Sequence, residues 1–104
     1  MDRIAQLNAF LQDSPKDNFL RHALALEYIK AGEYSRARAV FEEILREDPG
    51  YIGSYYHLAK LLEQLNEVQL AIEWYQKGMA AAKAAKDQHA YGELQAALEE
   101  IADA

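Results

Sequence analysis

The sequence contains no cysteine, which excludes disulfides, thiolate metal sites and cysteine nucleophiles. Proline and glycine are scarce, two and five in 104 residues, and they sit largely between periodic segments, a profile that favours helix. A basic excess is also missing. The formal net charge is −6, and Arg36, Arg38 and Arg46 are interleaved with Glu42, Glu43 and Glu47. Nucleic-acid binding draws on a cationic face that displaces counterions from phosphates, so no nucleic-acid partner is expected. An anionic membrane surface is disfavoured for the same reason. No apolar run is long enough to span a bilayer. The opening MDRIAQLNAFLQD lacks a basic region followed by an unbroken apolar core, so it does not read as a signal peptide. The expectation is one cytoplasmic domain with no membrane association.

Catalytic motifs are absent too. There is no glycine-rich phosphate loop, no G-x-S-x-G elbow and no H-E-x-x-H. His22, His57 and His89 fall on three separate segments, whereas ligand pairs on one helix stand three or four positions apart. They read as surface or groove histidines, not as metal ligands. Glu27, Glu42-Glu43 and Glu99-Glu100 fall on helix faces where solvation accounts for them. The expectation is therefore no enzyme, no metal and no cofactor.

What is present is apolar material, 51% of residues, much of it alanine, together with seven tyrosines. It is arranged as an internal repeat, which is the first thing to seek in such a chain. Displaced along itself by one constant step, the chain sets Leu24 on Leu58, Ala25 on Ala59, Ala37 on Ala71, Val40 on Trp74 and Phe41 on Tyr75. Gly32 falls on Asn66, and these two residue types best tolerate the left-handed backbone that ends a helix. Each unit then reads as two helices joined by a tight turn. The first pair is expected at about 18–31, with Asp17 as N-cap, and 35–46. The second is expected at about 53–65 and from near 68 to 85. Close packing of two antiparallel helices needs small side chains where they cross. Ala25 with Ala37, and Ala59 with Ala71, meet that need, with Tyr28, Phe41, Leu62 and Tyr75 filling the space beside them.

The flanks continue the pattern. By the same step, Pro15, Leu7 and Phe10 precede Pro49, Phe41 and Ile44, so positions 2–12 read as a second helix without its first. Tyr91-x2-Leu94-Gln95-x2-Leu98 repeats the first-helix pattern within 87–102, with Gln95 in the place of Ala25 and Ala59. A large polar residue there blocks a following second helix, so this segment reads as a cap. Trp74 is left with two readings, packing under the cap beside Tyr91 or an exposed dimer contact.

Arg21-x2-Leu24-Ala25-x2-Tyr28, Ala37-x3-Phe41 and Pro49 resemble the tetratricopeptide repeat pattern W-x2-L-G-x2-Y, A-x3-F, P. Tyr55-x2-Leu58-Ala59-x2-Leu62 and Ala71-x3-Tyr75 match it again at the family's period, with Lys83 where proline is expected. Arg21 stands in place of the aromatic, and Ala25 and Ala59 in place of the glycine. The resemblance implies an all-α, right-handed α-solenoid of about six helices in a single domain: repeat 1 at 18–50, repeat 2 at 52–85, and flanking helices at both ends.

The resemblance also implies that first helices line a concave groove. Its residues would be Phe19, His22, Leu26, Ile29 and Lys30 in repeat 1, Gly53, Tyr56, Lys60, Glu63 and Gln64 in repeat 2, and His89, Gly92 and Ala96 in the cap. Lys30 and Lys60 would bring positive charge to an apolar and aromatic face, suited to an extended peptide or a helix with apolar anchors and a carboxylate. Leu26 and Ile29 have a second reading, as part of the core between paired helices. The chaperone-type carboxylate clamp is not expected: its places hold His22, Leu26 and Lys60, and only Lys60 fits. The functional expectation is a non-catalytic adaptor for a protein or peptide partner. The alternative is a structural module that forms a homodimer through its end helices or its groove.

Overall fold

Three helices start on an aspartate that caps them. In the computed structural model of the protein, which describes residues 2–102, Asp2 Oδ1 accepts from the Ala5 N–H at 2.7 Å and opens α1 (Arg3–Asp13). Asp17 Oδ1 accepts from the Leu20 N–H at 3.1 Å and opens α2 (Asn18–Lys30). Asp87 Oδ1 accepts from the Ala90 N–H at 3.0 Å and opens α6 (Gln88–Ala102). Such caps satisfy backbone donors that the helix leaves free. The remaining elements are α3 (Tyr34–Glu47), α4 (Gly53–Gln64) and α5 (Val68–Ala84). Among the described residues the secondary structure is helical throughout, with six helices and no strand, in agreement with the all-α reading.

Three helix ends share one geometry. Gly32 (φ 77), Asn66 (φ 61) and Lys86 (φ 60) adopt the left-handed conformation after α2, α4 and α5. The next residue then reaches back. Glu33 N–H donates to the Tyr28 carbonyl at 2.8 Å, Glu67 N–H to Leu62 at 2.9 Å and Asp87 N–H to Ala82 at 2.9 Å. These bonds satisfy carbonyls that the last turn leaves open. Gly32 and Asn66 were expected in this role from their residue types; Lys86 was not.

The chain forms two compact units, one through Glu47 and one from Asp48. In the first, α2 packs on both α1 and α3. Ala25, Ala37, Phe41 and Ile44 have no exposed surface, and Leu7 of α1 is 1% exposed. In the second, α5 packs on both α4 and α6, and Leu58, Ala59, Leu62, Ala71 and Tyr75 are fully buried. Both alanine pairs thus lie in the core of their hairpins, where a larger side chain would push the helices apart.

Two features separate the units despite their shared pattern. In the first, Arg21 is buried (6% exposed) where the second has Tyr55 (4%). The Arg21 guanidinium bonds Glu43 at 3.1 Å, Glu47 at 3.4 Å and Asn18 at 2.5 Å, and Lys16 meets the same Glu47 carboxylate at 3.0 Å. Lys16, then Arg21, holds the Glu47 carboxyl below its ordinary pKa. In the second unit Tyr55 donates to the Pro49 carbonyl at 2.6 Å and sets its ring 6.0 Å from that of Trp74. Trp74 thus has Tyr55 on α4 as an aromatic neighbour, a contact not expected from the sequence. Trp74 is half-buried, and Lys77 Nζ lies 4.5 Å from its ring centroid. Gly78 makes the Tyr55 arrangement possible, since a Cβ there would lie 2.7 Å from Tyr55 Cβ.

The end helices differ from their repeat counterparts in one respect. Phe10 aligns with Ile44, yet it is 56% exposed where Ile44 is fully buried. Gln95 is exposed, in keeping with a polar residue at the crossing position of a cap.

Candidate functional site

The first-helix residues singled out above can be located one unit at a time. On α2, Phe19 is 73% exposed, the most open of the large apolar side chains among the described residues. His22 is half-buried, its ring 5.5 Å from that of Phe41 in an edge-to-face arrangement (67°). Leu26 and Ile29 are half-buried, so they contribute to both the core and the face. Lys30 is exposed but carries its own counter-charge, with Nζ 3.2 Å from Glu27 Oε2 one turn earlier.

On α4 the structure gathers three of these groups. The Tyr56 ring lies 6.4 Å from the Tyr75 ring and 5.7 Å from that of His57, both edge-to-face. Lys60 Nζ sits 5.7 Å from the Tyr56 centroid and 3.7 Å from Glu63 Oε2. The same Glu63 oxygen accepts a short hydrogen bond from the Tyr75 hydroxyl. Tyr56, Lys60 and Glu63 are thus linked into one cluster on Tyr75, while Gln64 is exposed and stands apart. Burial first, then the hydrogen bond to Glu63, drives the Tyr75 pKa far upward, so the phenol remains a donor. On α6 His89 is exposed, with Nε2 3.3 Å from Glu93 Oε1. A cleft of about 460 Å³ in this unit is lined by Tyr56, His57, His89 and Glu93, with Ile52 and Leu94 among the apolar lining. Burial lowers the His57 pKa, and the Glu93 charge opposes that shift.

Two consequences follow for the chemistry. Lys30 and Lys60, expected to offer free positive charge, are each paired with a carboxylate three positions away on the same helix. The faces are therefore mainly apolar and aromatic, with local ion pairs. The Tyr75 hydroxyl was the group not foreseen. Its alignment with Phe41 marks the ring as core, and a buried phenol then requires an acceptor. That acceptor is Glu63, on the partner helix of the same hairpin.

Helix pairs that recur at a constant step, with alanines buried at each crossing and open faces on the first helices, define a helical-repeat module of the kind used in protein–protein interaction. The profile of the tetratricopeptide repeat matches residues 22–92, and the chain belongs to the tetratricopeptide repeat family. The crystal structure of a tetratricopeptide repeat domain protein from Salinibacter ruber is 42% identical, covers 84% of this chain and 97% of that one, and superposes with a TM-score of 0.79. A solution structure of a tetratricopeptide repeat domain protein from the same organism is 44% identical, with 84% and 88% coverage and a TM-score of 0.81. The TPR2B domain of yeast Sti1, solved in a complex with pHsp70, has a TM-score of 0.87 over 96% of this chain and 80% of that one. At 14% identity that likeness concerns the fold alone. No curated protein matches the chain.

Proposed function

We propose that the protein is a non-catalytic adaptor that binds a peptide or helix of a protein partner through the open faces of its first helices. The observation that carries this reading is the exposure of Phe19, 73%, on a helix whose other large apolar residues are at least half-buried. With half-buried Leu26 and Ile29 at helical spacing from it, Phe19 belongs to an apolar stripe along one helix face, and contiguous apolar surface left in water, unlike a single residue, marks partner sites. On α4, the Tyr56–Lys60–Glu63 cluster offers an oriented aromatic edge, which suits recognition because little side-chain entropy remains to be lost. The Sti1 domain is a fold relative that was solved in a complex with pHsp70.

The test is direct. Partners captured from the native cell and identified by mass spectrometry are measured against two variants, Phe19→Ser and Tyr56→Ala/Lys60→Ala. Both variants should keep helical circular dichroism and lose at least about tenfold in affinity, about 1.4 kcal/mol or more. Unchanged affinity in both would sink the reading.

Self-association through an end helix is the second reading, favoured by the 56% exposure of Phe10 on α1. Light scattering over a concentration series separates the two. A monomer at every concentration removes self-association, and a dimer dispersed by Phe10→Ser supports it.

A further inference from the structure

The α5–α6 corner is built by a departure of the chain from its own repeat. The counterpart of Glu47, where α3 ends, is Ala81, yet α5 continues to Ala84. The continuation reads AAAKAAK over 80–86, with Lys83 where the family pattern has proline. It stops on Lys86 at φ 60, in the role that Gly32 and Asn66 fill elsewhere. A lysine is a costly choice for that backbone, and strained conformations of this kind tend to mark functional positions.

This corner holds a cleft of about 520 Å³, within the span of roughly 300–1,000 Å³ typical of ligand sites. Half-buried Tyr91 contributes apolar surface above the fully buried Ala82, while Lys83, Lys86 and Gln88 are exposed beside it. Lys16, Lys30 and Lys60 all have carboxylate partners; Lys83 and Lys86 have none among the described residues. Asp87 also lines the cleft, but its carboxylate is engaged in capping α6 through the Ala90 N–H at 3.0 Å. Two unpaired ammonium groups beside apolar surface, in a chain of net charge −6, form a local inversion of sign.

We propose that the α5–α6 corner is a second binding site, for an acidic segment of a protein partner. An apolar side chain of that segment rests on Tyr91, and neighbouring carboxylates meet Lys83 and Lys86. The site uses none of the residues assigned to the first-helix faces and does not depend on that assignment, although Asp87 also borders the cleft lined by Tyr56, His57 and His89. Its recognition is opposite in character, since those faces hold their lysines in ion pairs and this corner leaves them available.

The test uses the full chain, labelled with ¹⁵N, and three short probes: acetyl-Phe-Glu-Glu-amide, acetyl-Phe-Lys-Lys-amide and acetyl-Gly-Glu-Glu-amide. The first should move amide signals between Ala82 and Tyr91, and the other two should bind at least about tenfold more weakly. The charge reversal Lys83→Glu/Lys86→Glu should weaken the first probe by a similar factor and bring the lysine probe to the same signals. Lys86→Gly relieves the backbone and should still weaken binding, which separates loss of the site from loss of fold. Signals that move elsewhere or not at all, equal binding of the three probes, or full binding to the charge-reversed variant would overturn the proposal. Tighter binding of octanoate than of the peptide would also overturn it, assigning the corner to a fatty carboxylate.

Discussion

Gly78 and Gly92 allow one substitution to be tested with opposite expected signs. Glycine inside a helix is about 1 kcal/mol less favourable than alanine, so glycine-to-alanine at an open site should stabilise. Gly92, exposed on α6, has nothing within 4 Å of an added Cβ. Gly92→Ala should therefore gain about 0.5–1 kcal/mol. Gly78 is buried, and an added Cβ would lie 2.7 Å from Tyr55 Cβ and 3.0 Å from Leu94 Cδ1. The leucine methyl can swing aside. Tyr55 Cβ cannot, because it is bonded directly to the α4 backbone, so the two helices have to separate. Overpacking costs about 1–3 kcal/mol, and a clash with so rigid an atom belongs at the upper end. Setting about 3 kcal/mol against the propensity gain of about 1 leaves a net loss of about 2 kcal/mol for Gly78→Ala. In a domain of this size each kcal/mol moves Tm by about 4–8 °C, so Gly78→Ala should melt about 8–16 °C lower and Gly92→Ala a few degrees higher. Urea and thermal unfolding followed by circular dichroism give both values. A Gly78→Ala variant as stable as the parent would refute the close-approach argument.

Other substitutions test separate parts of the fold. Lys86→Gly should raise stability by about 0.5–1 kcal/mol, read as a higher urea midpoint, because it removes a left-handed lysine. Arg21→Met should leave stability unchanged or raise it by about 1–2 kcal/mol, since the buried Nε has no hydrogen-bond partner and Glu43 and Glu47 keep access to water. In that variant the Glu47 carboxyl, followed by NMR, should stay below its ordinary pKa, because Lys16 is the larger cause of its shift. For His57, burial depresses the folded pKa below the unfolded value of 6.5, so the unfolded chain binds more protons between the two values. Stability due to neutral His57 is present above about pH 6.5 and falls as pH drops through the folded pKa, with a slope of at most about 1.4 kcal/mol per pH unit. His57→Gln should flatten urea midpoints between pH 7 and pH 5, and an unchanged slope would remove His57 as the cause.

The helices, the alanine crossings and two of the three left-handed turns were legible because the chain states its pattern twice. Ala25 and Ala59 identify each other as crossing residues, and Gly32 identifies Asn66 as a turn. What was not legible came from interactions between positions that differ in the two copies. Nothing local announces that Gly78 faces Tyr55; within its segment Gly78 reads only as a helix breaker. The pairing of Lys30 with Glu27 and of Lys60 with Glu63 was within reach, since a spacing of three positions puts both groups on one helix face. Reading those lysines as free charge overlooked that rule. The exposure of Phe10 escaped the alignment because Ile44 shares its register but not its surroundings.

The two copies also show which departures from the pattern are compensated. Arg21 aligns with Tyr55, and its partners Glu43 and Glu47 align with Lys77 and Ala81. Where arginine is exchanged for tyrosine, both carboxylates are exchanged as well; Lys77 covers Trp74, and Gly78 replaces Ile44 to admit the tyrosine. Phe41 becomes Tyr75, and the added hydroxyl finds Glu63. Each of these changes is answered by another within its own unit, which is what preserving a packed core requires. Phe19, 73% exposed, and the exposed Lys83 and Lys86 have no such answer among the described residues. Packing does not account for these residues, and a protein-interaction module meets its partners through groups that its own core leaves unused.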